Sequence, residues 1–207
     1  MLAFHRLNVR GFLMNILLID SSARIGASES RKLGERLATR FGEIPDATMC
    51  RRDVNQGLHV LSEAHLAAYY TPANQRTVAQ KELIKVSDIL IEELRTCDRL
   101  ILTMPMYNFN IPASLKMWQD LVMREGETFD TVPTGIVGKL KHKKAYIIIT
   151  TGGTGRASPD NMLEPLTRLF LSGIGIEDQT YIHADNLAYN HENSFKAAQR
   201  QIDELEI

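Results

Sequence analysis

Three short stretches of this chain combine residue types that can do chemistry with positions between an aliphatic run and a helical pattern. The first is Ser21-Ser22-Ala23-Arg24-Ile25-Gly26-Ala27-Ser28-Glu29-Ser30, which crowds hydroxyls ahead of a helix start. Hydroxyls and free N–H groups at a helix N-terminus make an anion site, above all for phosphate. The nucleotide motifs GxGxxG and GxxxxGKS/T are both missing. The loop therefore suits a terminal monophosphate held by neutral donors rather than a pyrophosphate or a triphosphate with Mg²⁺. The alternative is that Ser28 or Ser30 only caps the helix.

The second stretch, Met106-Tyr107-Asn108-Phe109-Asn110, sets two asparagines around an aromatic ring in a connection where small polar residues would serve. Its amides and the Asn108 side chain can read the edge of a heterocycle while the rings wall it in. A core-packed aromatic turn is the alternative. The third, Thr150-Thr151-Gly152-Gly153-Thr154-Gly155, offers N–H groups without bulky side chains, so that a planar ligand can approach the backbone closely. Its alternative is an ordinary strand-to-helix turn.

Periodicity places these stretches on elements. Ile16 to Ile19 reads as an aliphatic strand, and Ser28 to Phe41 as a helix with Leu33, Leu37 and Phe41 on one side. Ala47 to Arg51 is a weaker second strand, followed by a short helix around Ser62 to Tyr70. Val78 to Cys97 is a long helix with a stripe of Leu83, Val86, Ile89 or Leu90, Ile91 and Leu94. The third strand is Arg99 to Met104, with a helix from about Pro112 to Arg124. The fourth strand is Ala145 to Thr150, with a helix from about Pro159 to Leu171. A fifth strand near Ile176 to His183 and a final helix from about Glu192 to Leu205 complete the pattern.

Strands alternating with helices imply right-handed crossovers and an α/β fold with a parallel sheet covered on both faces. Five such strands suggest the flavodoxin-like order 2-1-3-4-5, in which ligands bind beyond the carboxyl ends of the strands at the switch between the first and third. The three stretches follow strands one, three and four and so border that one crevice.

At 207 residues and a net charge of −1, the chain suits one globular domain and carries no field that would gather nucleic acid or an anionic membrane. The cation cluster Lys139 to Lys144 is short and reads as a solvated turn. Cys50 and Cys97 have no metal spacing and no CxxC, and read as reduced, buried thiols of a cytoplasmic protein. No metal site is expected, and no apolar run approaches a membrane span. Residues 1–13 lack the pattern of a secretory signal and read as a flexible extension ahead of a domain over 14–207.

From Met14 onward the chain resembles the FMN-dependent NADH:quinone oxidoreductase and azoreductase family, which has a flavodoxin-like fold. The resemblance rests on SSARIGASES, PMYNFNIPASLKMWQDLV, GETF at Gly126 to Phe129, and TTGGTG. It implies that Ser22, Ser28, Glu29 and Ser30 hold the FMN phosphate and that Met106, Tyr107, Asn108 and Phe109 line the isoalloxazine. Thr151, Gly152, Gly153 and Thr154 would bind its polar edge, and Phe129 would wall the substrate site across a homodimer interface; as a local reading Phe129 packs at a helix end. The implied activity is hydride transfer from NADH or NADPH to tightly bound FMN, then two-electron transfer to quinones or azo compounds by a ping-pong exchange. The chemistry would lie on the flavin, with no protein catalytic residue.

Relatives commonly carry glutamine where this chain has Glu29, arginine where it has Gly152, and in some cases an aromatic residue at Gly173. A carboxylate repels a phosphate, so Glu29 is expected to offer its N–H and turn its side chain to solvent, and Gly173 is expected to leave a roomier pocket. Three rival readings share the fold or the cofactor. An electron carrier would need an acidic surface, which the near-zero charge does not supply. A phospho-receiver would need an Asp after the third strand, where Thr103-Met104-Pro105 stands. A reductase of free flavin or metal complexes is not separated from quinone reduction by sequence.

Overall fold

The structure, a computed structural model, describes residues 13–207; apart from Leu13, the expected extension over 1–13 lies outside the described residues. The elements run β1 (Asn15–Asp20), α1 (Glu29–Gly42), β2 (Thr48–Asp53), α2 (Glu63–Tyr70), α3 (Val78–Thr96), β3 (Arg99–Pro105) and α4 (Ala113–Val122). They continue through β4 (Phe129–Val132), β5 (Gly135–Gly138), β6 (Lys144–Thr150), α5 (Leu163–Ile174), β7 (Asp178–Ala184) and α6 (Leu187–Asp203). Five strands form one parallel sheet in the order β2-β1-β3-β6-β7. With the β4–β5 hairpin set aside, this is the expected order 2-1-3-4-5.

Strand alternation divides the core between the two faces of the sheet. Leu17, Ile19, Leu100, Leu102, Ile147 and Ile149 face one layer, where they meet Leu90 and Leu94 of α3, Trp118 of α4 and Leu171 of α5. Ile16, Leu18, Ile101, Tyr146, Ile148 and Ile182 face the other, against Leu33, Leu37 and Phe41 of α1 and Ala198 and Ile202 of α6. Gly34 lets α1 lie close on the sheet, because a Cβ there would stand 2.4 Å from Thr103 Cγ2. That approach fixes the start of α1 over the carboxyl ends of β1 and β3.

Several expectations are corrected. Residues 129–138 form an antiparallel hairpin, with Phe129 opposite Gly138 and Val132 opposite Gly135, so Phe129 opens a strand instead of ending a helix. The hairpin docks where Gly138 and Gly175 meet backbone to backbone, a contact that apolar periodicity does not announce. The buried stripe of α3 is Ile84, Ser87, Leu90, Ile91 and Leu94; Leu83 and Val86 are half-buried and Ile89 is exposed.

Helix α5 begins at Leu163, four residues after Pro159, since Ser158 to Asn161 form a turn in which Asn161 N donates to Ser158 O at 3.0 Å. Helix α6 gains a first turn from Leu187, joined across a non-helical Asn190 (φ −142°, ψ 47°) to the helix expected from about Glu192, because the amides of that turn find acceptors outside the helix. Leu187 N donates to Thr151 O (3.0 Å) and Ala188 N to Gly152 O (2.8 Å). Cys97 is buried as expected, but Cys50, on the edge strand β2, is exposed.

Candidate functional site

The carboxyl ends of β1, β3 and β6 lie side by side, with Asp20 in register with Thr103 and Pro105 with Thr150. The loops that follow them therefore share one edge of the sheet, and between them runs a cleft of about 480 Å³, within the usual range for ligand sites. Ser22, Ser28, Glu29, Met106, Tyr107, Thr151 and Gly152 all line it.

The serine loop is held from below. Arg31, on the first turn of α1, reaches back to Asp20 (3.3 Å) and Asp53 (2.8 Å) and donates to the Ser22 carbonyl at 2.8 Å. Asn55 donates to the same carbonyl at 3.0 Å and accepts from Ser114 Oγ at 2.9 Å, which ties the loop to α4. Burial pushes the Asp20 carboxyl above the usual carboxylate range, against the Thr103 hydrogen bond and Arg31. Burial also acts upward on Asp53, but hydrogen bonds from Asn55 and Arg31 outweigh it and hold that group low. The Arg31–Asp20–Asp53 lattice thus lies beneath the loop, while its cleft side presents Ser22 and Ser28 together with Arg24 and Glu29.

The serines of that side suit a phosphate. Ser28 caps α1, with Arg31 N donating to its Oγ at 3.3 Å, and Ser30 Oγ stands 3.1 Å from Ser28 Oγ. Capping and anion binding coexist here, because the first two helical amides, Glu29 and Ser30, have no intrahelical acceptor. Ser30 is fully buried behind Ser28. Ser22 Oγ lies 3.2 Å from the Tyr107 hydroxyl, which also accepts from Ala23 N at 3.2 Å. The serine loop and the aromatic stretch are thereby joined.

Tyr107 to Asn110 is a tight two-residue hairpin: Tyr107 N donates to Asn110 O (2.8 Å) and Asn110 N to Tyr107 O (3.0 Å). Both central residues are left-handed, Asn108 at φ 51° and Phe109 at φ 63°. Asparagine tolerates that conformation, whereas phenylalanine stands where glycine is preferred. Met106 N donates to Thr150 O at 2.8 Å and brings the turn against the glycine loop. In that loop the Thr151 hydroxyl bonds the Thr154 carbonyl and accepts from Asn186 N at 3.2 Å. A Cβ at Gly152 would meet nothing within 4 Å, so the glycine leaves the cleft wall bare for a ligand and answers no packing demand.

The expected residues do not all converge. Asn108 lines a neighbouring hollow of about 550 Å³ with Ile111, Lys116, Gln119, Leu166 and Thr167, and Tyr107 is the wall shared by both. Phe109 is 65% exposed on the tip of its turn. Gly153 and Thr154 continue the glycine loop beyond the cleft lining, with Gly153 against Tyr189. Phe129 lines neither space.

Glu29 does not turn to solvent. Its side chain is 23% exposed and borders the cleft, with Oε1 3.0 Å from Lys32 Nζ and 3.4 Å from His191 Nε2. Gly173 opens no pocket, because a Cβ there would meet Ile136 of the hairpin at 3.3 Å. Sequence reasoning missed Leu187, Ala188 and His191 on the wall, because it read no helical turn ahead of Glu192. The available signal was the residue types Asp185-Asn186, which favour helix starts, although Asn186 is left-handed (φ 56°) and its side chain makes no cap hydrogen bond. Among the described residues no cluster of metal-ligating side chains occurs and no helix is long and apolar enough to cross a membrane.

The comparisons with known proteins agree with this geometry. The family model described as Flavodoxin-like fold matches residues 14–205. An FMN-dependent NADH:quinone oxidoreductase 1 of Hahella chejuensis is 43% identical over 188 residues, covering 90% of this chain and 92% of that protein. Its namesake in Jannaschia sp. is 38% identical over 191 residues, 92% and 98% of the two chains. Among solved structures, an FMN-dependent NADH-azoreductase of Bacillus anthracis in complex with FMN superposes with a TM-score of 0.82 at 20% identity, covering 92% of this chain and 96% of that one. This chain belongs to the flavodoxin-like family of FMN-dependent NADH:quinone oxidoreductases.

Proposed function

We propose that this chain, through a single domain over 14–207, is an FMN-dependent oxidoreductase that takes hydride from NADH or NADPH and reduces quinones, with azo compounds as further acceptors. The observation that carries the reading is one cleft at the sheet's switch point, with serine hydroxyls and free amides at the α1 N-terminus and a bare glycine wall beside Tyr107. The residues present fit FMN: hydroxyl donors and free amides for one phosphate, and an aromatic and glycine lining for a flat ring. When bound, FMN supplies the redox chemistry, taking up hydride and passing on two electrons.

The chain's own contribution is positional. Ser22, Ser28, Ser30 and the Glu29 amide would hold the phosphate, and the Thr151–Thr154 backbone would meet the polar edge of the ring. Met106, Tyr107, Asn108 and Phe109 would line the ring, and Phe129, which lines neither space within one chain, would reach the acceptor wall only from a second copy. A second copy of the chain completes that side, a reading supported by the exposed apolar side chains of Leu166 and Leu169 on α5 and of Met162 at its N-cap. Two free cysteines suit a reducing cytoplasm.

The test is direct. Purified protein should carry a yellow flavin spectrum at one flavin per chain, bleach anaerobically with NADH and recolour with a quinone. Initial-rate lines at several quinone concentrations should be parallel, as one site used in turn by donor and acceptor requires. A colourless protein that cannot be reconstituted with FMN would sink the proposal.

A further inference from the structure

The phosphate end of the cleft contains a group that a phosphate site ordinarily avoids. Glu29 Oε2 is buried and has no hydrogen-bond partner, and the carboxylate borders the space that the hydroxyls of Ser22 and Ser28 also border. A carboxylate next to a phosphate dianion is repulsive, and more so where water is excluded. The site therefore needs a compensating cation that touches Glu29 and faces the cleft. Lys32 meets Glu29 but does not line the cleft. Arg24 lines the cleft on the serine loop but forms no ion pair with Glu29 among the described residues.

His191 does both: it lines the cleft, and its Nε2 stands 3.4 Å from Glu29 Oε1. Its ring stacks on Phe195, centroids 5.6 Å apart and planes within 9° of parallel. The stack sets its orientation from the next turn of α6. Asn190, where the helix departs from helical φ and ψ (−142°, 47°), immediately precedes it.

We propose that His191 is a phosphate-binding residue of this chain, and that it and Glu29 form a matched pair which makes the cleft select a phosphorylated flavin over an unphosphorylated one. This rests on the FMN reading and extends it to a fourth segment, the first turns of α6. Glu29 holds the imidazole at the cleft rim, where a ring N–H can offset the carboxylate and donate to the phosphate when it arrives.

Riboflavin differs from FMN only in lacking the phosphate, so the two flavins separate this role from packing. Apo-protein is titrated with each at low ionic strength, following the quenching of flavin fluorescence. For His191→Ala, FMN binding should weaken by about tenfold, the size of one hydrogen bond to a charged group, while riboflavin binding should change by less than about twofold. Glu29→Gln in the same background should recover most of the loss, because the uncompensated charge is gone. His191→Lys should keep the FMN preference.

Equal weakening for both flavins would assign His191 to packing and overturn the proposal. Unchanged FMN affinity in His191→Ala would overturn it as well, as would a Glu29→Gln double variant no better than the single one. A wild-type protein that binds neither flavin would overturn the FMN reading itself, an outcome distinct from these three.

Discussion

Phe109 is the residue whose conformation is hardest to explain by folding alone. A large side chain on a left-handed backbone (φ 63°) sits 65% exposed, so neither turn chemistry nor burial favours it there. Such strain costs about 1–3 kcal/mol and persists chiefly at functional sites. Phe109→Gly should therefore raise the urea midpoint by about 1 kcal/mol equivalent while weakening flavin retention or raising the quinone KM; lower stability in that variant would show that the ring serves the core. His183 makes the opposite case, a buried polar residue whose cost is visible as pH dependence. Its Nε2 lies 2.9 Å from Glu164 Oε2 and its Nδ1 has no partner. Burial, then the nearby Arg156, pushes its pKa below the ordinary value, and the Glu164 hydrogen bond offsets this only in part. The unfolded chain takes up that proton near pH 6.5 and the folded chain only at lower pH. Its contribution to stability is thus fully present above about pH 6.5 and is lost as pH falls below it, by at most about 1.4 kcal/mol per pH unit for one proton. His183→Gln should flatten the fall in urea midpoint between neutral and mildly acid pH; an unchanged slope would assign the effect to other groups.

Elements position these residues through a few close backbone approaches, and the hairpin β4–β5 depends on one of them. A Cβ on Gly138 would stand 2.0 Å from Gly175 N, and Gly175 itself closes α5 at φ 104°. Gly138→Ala should destabilise the protein by about 1–3 kcal/mol, the usual cost of overpacking, read as a lower urea midpoint with α1 and the serine loop intact. The same contact explains why the hairpin was illegible in the sequence: FDTVPTGIVG has neither a clean alternation nor a strong turn pair, and its docking is decided by tertiary approach. The central strands were legible because burial on both faces demands near-continuous aliphatic residues, and their order put the three loops on one edge. That the loops border one cleft was legible by type, through Ser22, Ser28, Tyr107 and Gly152, all of which line it. Where Glu29 points was not, since that depends on His191 arriving from α6, 162 residues later in the chain and on a helix whose start is set by the Thr151 and Gly152 carbonyls.

At the scale of the molecule, the open question is what covers the exposed apolar residues beside the cleft. Leu166 and Leu169 project from α5, with Leu169 72% exposed, and Ile136 and Val137 add to the exposed apolar side chains from the hairpin packed against that helix. Leu166 also lines the hollow that contains Asn108, so a partner seated on α5 would close the hollow next to the shared Tyr107 wall. A second copy of this chain is the economical occupant, because a net charge of −1 sets up little repulsion between copies. The hollow's placement then predicts a split between functions. The serine loop is built within one chain, by Arg31, Asp20, Asp53 and Asn55, and needs no partner. The acceptor side, at Asn108 and Leu166, would be completed only by the pair. Wild-type protein should therefore run as a dimer in light scattering, and Leu169→Glu should shift it to monomer. The monomer should still take up FMN, within a few-fold of wild type, but lose quinone turnover, chiefly through a raised KM. A monomeric wild type, or a monomeric variant with unchanged turnover, would show that one chain suffices and that α5 faces something other than its copy.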